Sequence, residues 1–375
     1  MEHENLRFAN PGALGARKYV PGKPVKEAMR ELGLEKVLKM ASNENPFGCS
    51  PRAQAALKEL ASELHIYPDA LNAELRSRLA RELKVAEEML TIGNGADGVI
   101  YNLGMACLDQ GDEALIPRVS YPIYETIVRL MRGSITFTGM NGLRIDLQDL
   151  ARRITPKTRI LFLCNPNNPT GDALPARELL AFLEALPDTV LAVLDEAYLD
   201  FAEPDFRPNA VSLLKNGMSN LFILRTFSKL YGLAGARVGY GIGDPAIISL
   251  IHRIKPPFCV SSLAEGLALA ALDDEQFARR TLEDCAREKR FFYRELDELG
   301  LSYVRSHTNF VLVDTARDCL QMFQRLLARG VIVRPAKQYG LPSSLRITVG
   351  RHEENVRLFL ALREALAEVP PLQAP

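Results

Sequence analysis

Lys229 sits in TFSKLYGLAGARVGY, Thr226 to Tyr240, directly after a serine and ahead of Gly232, Gly235, Arg237 and Gly239. A lone lysine is most often a solvated surface amine, so its neighbours must argue for any other role. Two further segments do so. NPNNPTG (Asn165 to Gly171) follows the apolar run TRILFLC, and DEAY (Asp195 to Tyr198) follows TVLAVL, just as TFSK follows NLFILR. Singly, these are a turn and two helix caps. Together, three segments that each close an apolar run supply amides, an acid, a phenol, two hydroxyls and an amine.

A fourth segment, GNGADG (Gly93 to Gly98), follows EMLTI and matches G-x-G-x-x-G. A dinucleotide site also needs an acid about 20 residues on to hold the ribose. Ile116, Pro117 and Arg118 stand near that place. What survives is a glycine-rich helix start whose backbone N–H groups suit one phosphate. One phosphate, one planar electron sink and one amine nucleophile point to pyridoxal 5'-phosphate. Lys229 would form a Schiff base with its aldehyde, which requires an amine pKa lowered from about 10.4. Arg237 would serve the phosphate, and Asp195 would keep the pyridine nitrogen protonated so that the ring draws electrons from the substrate Cα.

The elements that position these residues alternate. Short apolar runs, continuous as in strands buried on both faces, are separated by helical segments such as PARELLAFLEAL. This predicts an α/β fold, a mostly parallel sheet flanked by helices, whose ligands bind outside the carboxyl ends of the strands. Beyond Val260 the pattern changes to helices near 263–272 and 275–299, short strands NFVLV, GVIV and LRITV, and a terminal helix, a smaller α+β domain. The expected organisation is an N-terminal arm (1–20), a large cofactor-binding domain (50–258) and a small domain (21–49 plus 259–375).

Composition narrows the partners. The 375 residues carry 46 Lys+Arg and 46 Asp+Glu, so no basic excess draws the chain to nucleic acid or an acidic membrane. No apolar run approaches the roughly 20 residues of a membrane span. The polar N-terminus MEHENLRFAN is unlike a targeting peptide. These features predict a soluble cytoplasmic protein with small-molecule partners. The six cysteines form no CxxC pair and the five histidines no HExxH pattern, so no metal is expected.

With SNENPFG (Ser42 to Gly48), YPD (Tyr67 to Asp69), PPFCVSSLAE (Pro256 to Glu265) and LRITVG (Leu345 to Gly350), these motifs resemble the fold-type I pyridoxal-phosphate aminotransferases from about Tyr19 to Asn355. The resemblance implies that Lys229 is the Schiff-base lysine and proton carrier. Asp195 pairs with the pyridine nitrogen, Asn168 and Tyr198 meet the phenolic oxygen, and Tyr121 stacks on the ring. Gly95, Ala96, Asp97, Thr226, Ser228 and Arg237 hold the phosphate, joined by Tyr67 from the second subunit of a homodimer. Tyr19, Asn43, Arg334 and Arg346 meet the substrate. The implied reaction is ping-pong transfer from a donor such as glutamate to a phosphorylated or aromatic partner. Gly98, Cys259 and Ser261 depart from the family pattern, where an acid and two asparagines are usual.

Overall fold

The computed structural model of the chain describes residues 8–16, 18 and 22–372. Its central sheet has seven strands: β1 (Leu90–Asn94), β2 (Glu113–Pro117), β3 (Ser134–Thr138), β4 (Thr158–Cys164), β5 (Leu191–Asp195), β6 (Leu221–Thr226) and β7 (Val238–Gly243). They lie in the order β1-β7-β6-β5-β4-β2-β3, with β7 antiparallel to both neighbours and every other pair parallel.

The continuous apolar runs have a two-sided cause. Along β4, Leu161 and Leu163 enter one core while Ile160, Phe162 and Cys164 enter another. Along β5, Ala192 and Leu194 join the first core, and Leu191 and Val193 the second. Side chains alternate across a strand, so helices on both faces demand apolar residues at every position.

β7 breaks this pattern and escaped the sequence reading. Val238, Tyr240 and Ile242 face the first core, while Gly239, Gly241 and Gly243 occupy the other face. A Cβ at Gly239 would lie 2.5 Å from the Ala96 backbone nitrogen, and one at Gly241 would lie 2.4 Å from Cζ of Phe222. Glycine is what lets the helix Gly95–Cys107 and a core phenylalanine approach this strand.

The second sheet is antiparallel, with β8 (Ser302–Tyr303), β9 (Phe310–Asp314), β10 (Arg334–Pro335) and β11 (Ser344–Thr348) in the order β8-β9-β11-β10. Residues of Glu275–Glu298, Cys319–Ala328 and His352–Glu368 share one core with it. Leu38–Lys39 pairs in parallel with Val331–Ile332, and the Thr348 N–H donates to the Met40 carbonyl at 2.9 Å. Residues 38–43 are thereby stitched to this sheet.

The helix Ser262–Leu272 packs elsewhere than the sequence reading placed it. Ala264, Ala268, Ala271 and Leu272 belong to a core of the large sheet. Its alanines and Gly266 allow close approach to the helix Pro51–Leu60, where a Cβ on Gly266 would lie 2.5 Å from Cδ2 of Leu60. The large unit's core therefore extends past the boundary drawn at residue 258.

Candidate active site

A cavity of about 330 Å³ opens where the ends of β4, β5 and β6 face β10 and β11. Lys229 follows β6, Asp195 ends β5, Asn168 follows β4, and the helix carrying Ala96 and Asp97 starts where β1 ends. Tyr121 enters after β2. The antiparallel run of β7 returns Arg237 to the same place, where the Gly95 N–H donates to the Arg237 carbonyl at 2.9 Å.

One end is a cradle of donors. The Thr226 hydroxyl donates to Oγ of Ser228 at 3.0 Å, and Nη1 of Arg237 donates to the same oxygen at 3.4 Å. The first turn of the helix Gly95–Cys107 leaves its N–H groups without helical partners. A Cβ on Gly95 would stand 2.3 Å from Nη2 of Arg237, so only glycine lets the guanidinium lie over this turn. Asp97 occupies the cradle's edge, accepting from the Tyr121 hydroxyl at 3.2 Å and lying 3.6 Å from Arg237.

The floor holds the acid. Oδ1 of Asp195 accepts from the Ala197 N–H at 3.0 Å and Oδ2 from the Tyr124 hydroxyl at 2.6 Å. Burial nevertheless pushes the Asp195 carboxyl up to about 6. The Tyr198 hydroxyl accepts from Nδ2 of Asn43 at 2.9 Å, and burial raises its phenol. Lys229 projects between these groups, with Nζ 3.4 Å from the Asn43 carbonyl and 5.4 Å from the centre of the Tyr198 ring. Burial, then repulsion from Arg346, lowers its amine to about 8.

At the opposite end Nη1 of Arg346 donates to Oδ1 of Asn168 at 2.6 Å and Nη2 to the Ala41 carbonyl at 2.7 Å. Its buried Nε has no hydrogen-bond partner among the described residues. Arg334 stands directly opposite Arg346 in the register of β10 and β11, and its Nη2 donates to Oε1 of Gln338 at 3.2 Å.

The cavity brings together Asn43, Ala96, Asp97, Tyr121, Asn168, Asp195, Tyr198, Thr226, Ser228, Lys229, Arg237, Arg334 and Arg346. Gly95 lies behind Arg237. Tyr67 does not reach the cavity: it is 81% exposed and stacks on Phe258 with centroids 4.9 Å apart. Tyr19 lies outside the described residues. The sequence reading missed Tyr124 and Tyr339. Tyr124 stands three residues after Tyr121 in YPIY, a helical spacing that could have flagged it, whereas Tyr339 belongs to the short turn Lys337–Tyr339 and had no signal. Among the described residues no three His, Cys, Asp or Glu side chains are placed to hold a metal ion, and no helix is long and apolar enough to cross a membrane.

This donor set fits pyridoxal 5'-phosphate. Thr226, Ser228, Arg237 and a helix N-terminus form an anion cradle, and among the described residues Asp195 is a buried acid with no basic side chain in contact and Lys229 a buried amine with no carboxylate in contact. Burying such groups unpaired is costly and marks a site built for a ligand.

Comparison with known proteins agrees. Residues 35–362 match the family model for aminotransferase class I and II. The chain is 43% identical over 354 residues to histidinol-phosphate aminotransferase of Moorella thermoacetica, covering 94% of this chain and 92% of that protein. It is 42% identical to histidinol-phosphate aminotransferase 2 of Carboxydothermus hydrogenoformans, covering 93% and 97%. Its fold is similar to the crystal structure of histidinol-phosphate aminotransferase from Sinorhizobium meliloti in complex with pyridoxal-5'-phosphate, with a TM-score of 0.88, 28% identity and coverage of 97% and 99%.

Proposed function

The chain belongs to the class I and II aminotransferases, and from that premise we propose that it moves an amino group between histidinol phosphate and 2-oxoglutarate, a step of histidine biosynthesis, with pyridoxal 5'-phosphate bound in the cavity. The observation that carries the substrate reading is the pairing of Arg334 and Arg346. Residues directly opposite on antiparallel strands share a face, and both arginines line the cavity beside β10 and β11. A phosphomonoester takes the place of an amino acid's α-carboxylate in histidinol phosphate, so one pocket must accept a dianion in one half-reaction and a monoanion in the other. Two planar donor forks suit both charges.

The bound cofactor supplies a carbonyl that condenses with amines and a protonated ring that withdraws electrons. Thr226, Ser228, Arg237 and the N–H groups of Ala96 and Asp97 would hold its phosphate, and Asp195 its ring nitrogen. Asn168 and Tyr198 would face its phenolic oxygen and Tyr121 its ring. Lys229 takes the proton from the substrate Cα on Nζ. An amine lowered to about 8 is partly neutral near pH 7 and so can accept it. Arg346, anchored by Asn168 and Ala41, orients the anionic group so that Cα faces that nitrogen.

The working unit is a homodimer. Tyr67 and Phe258 join two segments whose Leu64, Ile66, Leu71, Leu250 and Ile254 are 40% or more exposed, apolar surface that a second copy would cover. Tyr67 would then reach the partner's phosphate. Mixing inactive Tyr67 and Lys229 variants should restore activity, because one site of the heterodimer carries neither lesion. Verified heterodimers without activity would assign Tyr67 to its own subunit.

The substrate reading is tested by comparing kcat/KM for histidinol phosphate and phenylalanine with 2-oxoglutarate as acceptor. Preference for histidinol phosphate supports it; outright preference for phenylalanine moves the assignment to an aromatic aminotransferase.

A further inference from the structure

Tyr124 does not line the cavity, yet it makes the shortest contact to the acid on the cavity floor. Its side chain is fully buried, its ring stacked on Phe162 at 4.8 Å and 10° and set edge-on to Tyr121 at 5.7 Å. From the helix Ile123–Leu130 it reaches the last residue of β5 and places its hydroxyl 2.6 Å from Oδ2 of Asp195. We propose that Tyr124 is a positioning residue that keeps the Asp195 carboxylate ionised and fixes its orientation toward the ring nitrogen of the cofactor. The inference rests on the pyridoxal phosphate reading above.

A phenol has a single proton, and a hydrogen bond given to a carboxylate favours its charged form. The other bond to Asp195, from the Ala197 N–H to Oδ1, comes from the backbone and is present whatever occupies position 124. Burial works against both, raising the carboxyl to about 6. The charged groups around Asp195 do not resolve the contest. Asp97, at the helix N-terminus, and Glu196, next in the chain, repel a second negative charge, while Lys229 attracts it. Tyr121, Tyr198 and Cys164 are neutral neighbours whose own ionisation Asp195 opposes. Tyr124 is thus the side chain that tips Asp195 toward the anion before any cofactor arrives. It cannot exchange protons with substrate itself, since burial and the adjacent carboxylate hold its phenol well above the ordinary range.

The test uses Tyr124→Phe, which keeps the stacked ring, and 3-fluorotyrosine at position 124, whose more acidic phenol donates more strongly. In the cofactor-free protein the Asp195 carboxyl is titrated by infrared difference spectroscopy, its band assigned with Asp195→Asn. The midpoint should rise by about one unit or more in Tyr124→Phe and fall with fluorotyrosine. The second readout is the affinity for pyridoxal phosphate against pH. Affinity should weaken as pH falls and Asp195 gains a proton, and the midpoint of that loss should move up with the carboxyl in Tyr124→Phe. An unchanged midpoint in both readouts, with a uniform loss of affinity and a lowered Tm, would leave Tyr124 a packing residue and overturn the inference alone. If Tyr124→Phe does not fold, an unmoved midpoint with fluorotyrosine overturns it equally. A wild type that binds no cofactor overturns the reading beneath it as well.

Discussion

The two ends of the cavity are built differently. At the phosphate-cradle end, Thr226, Ser228 and Arg237 lie within twelve positions of one another and bond to each other, whereas the neighbouring Lys229 reaches across to the Asn43 carbonyl. At the arginine end, Ala41, Asn43, Arg334 and Arg346 come from distant segments and meet through contacts across the two sheets. Arg346 reaches Asn168 and Ala41, while Asn43 links the Thr348 hydroxyl, through its N–H, to the Tyr198 hydroxyl. The first arrangement is local and survives small shifts between the sheets. The second exists only when the sheets are in register, so substrate contacts report domain placement while cofactor contacts report one sheet's strand ends.

The largest test of this contrast is Lys229→Ala. Multiple turnover should fall at least about a thousandfold, because the proton acceptor at Cα is gone. Cofactor binding should persist, because the cradle does not use the amine. Borohydride treatment of the wild type should leave the cofactor on Lys229, and recovery of the label on another lysine would refute the assignment.

Arg346→Lys should cost about ten- to a hundredfold in kcat/KM for donor and acceptor alike, since a point charge replaces a fork that also anchors Asn168. An effect confined to one half-reaction would contradict a shared anion site. Arg334→Gln is expected to be milder and selective, about tenfold for histidinol phosphate and less for phenylalanine. Equal losses for both would remove phosphate recognition from Arg334. The smallest effect is on pH. With the Lys229 amine lowered to about 8, its neutral fraction rises with pH and levels off above that value. The rate at which the apo-protein captures pyridoxal phosphate should therefore increase about threefold between pH 7.5 and 8.5. A flat profile would mean the amine is already neutral.

The same division governs what could be read in advance. TRILFLC, TVLAVLD and NLFILRT announce buried strands because both of their faces are covered, and Asn168, Asp195 and Lys229 follow them directly. SITFT, at the sheet's edge, and VGYGIG, whose glycines yield to Phe222 and Ala96, carry no such run. Tyr124 had only its spacing from Tyr121 to flag it, for a related reason: a tyrosine at an apolar helix position reports its own burial and not the carboxylate it will meet.

By itself the amino-acid sequence determined the fold class, the cofactor chemistry and the residues at the three parallel strand ends, because each depends on local periodicity and on what immediately follows a strand. Tertiary structure alone decided that β7 runs backwards to bring Arg237 over Gly95. It alone packed Ser262–Leu272 on the large sheet's core, set Arg334 opposite Arg346 and aimed Tyr124 at Asp195. Those outcomes depend on which surfaces meet across long sequence separations. The pattern of a segment records that it will be buried, and only the assembled cores determine against what.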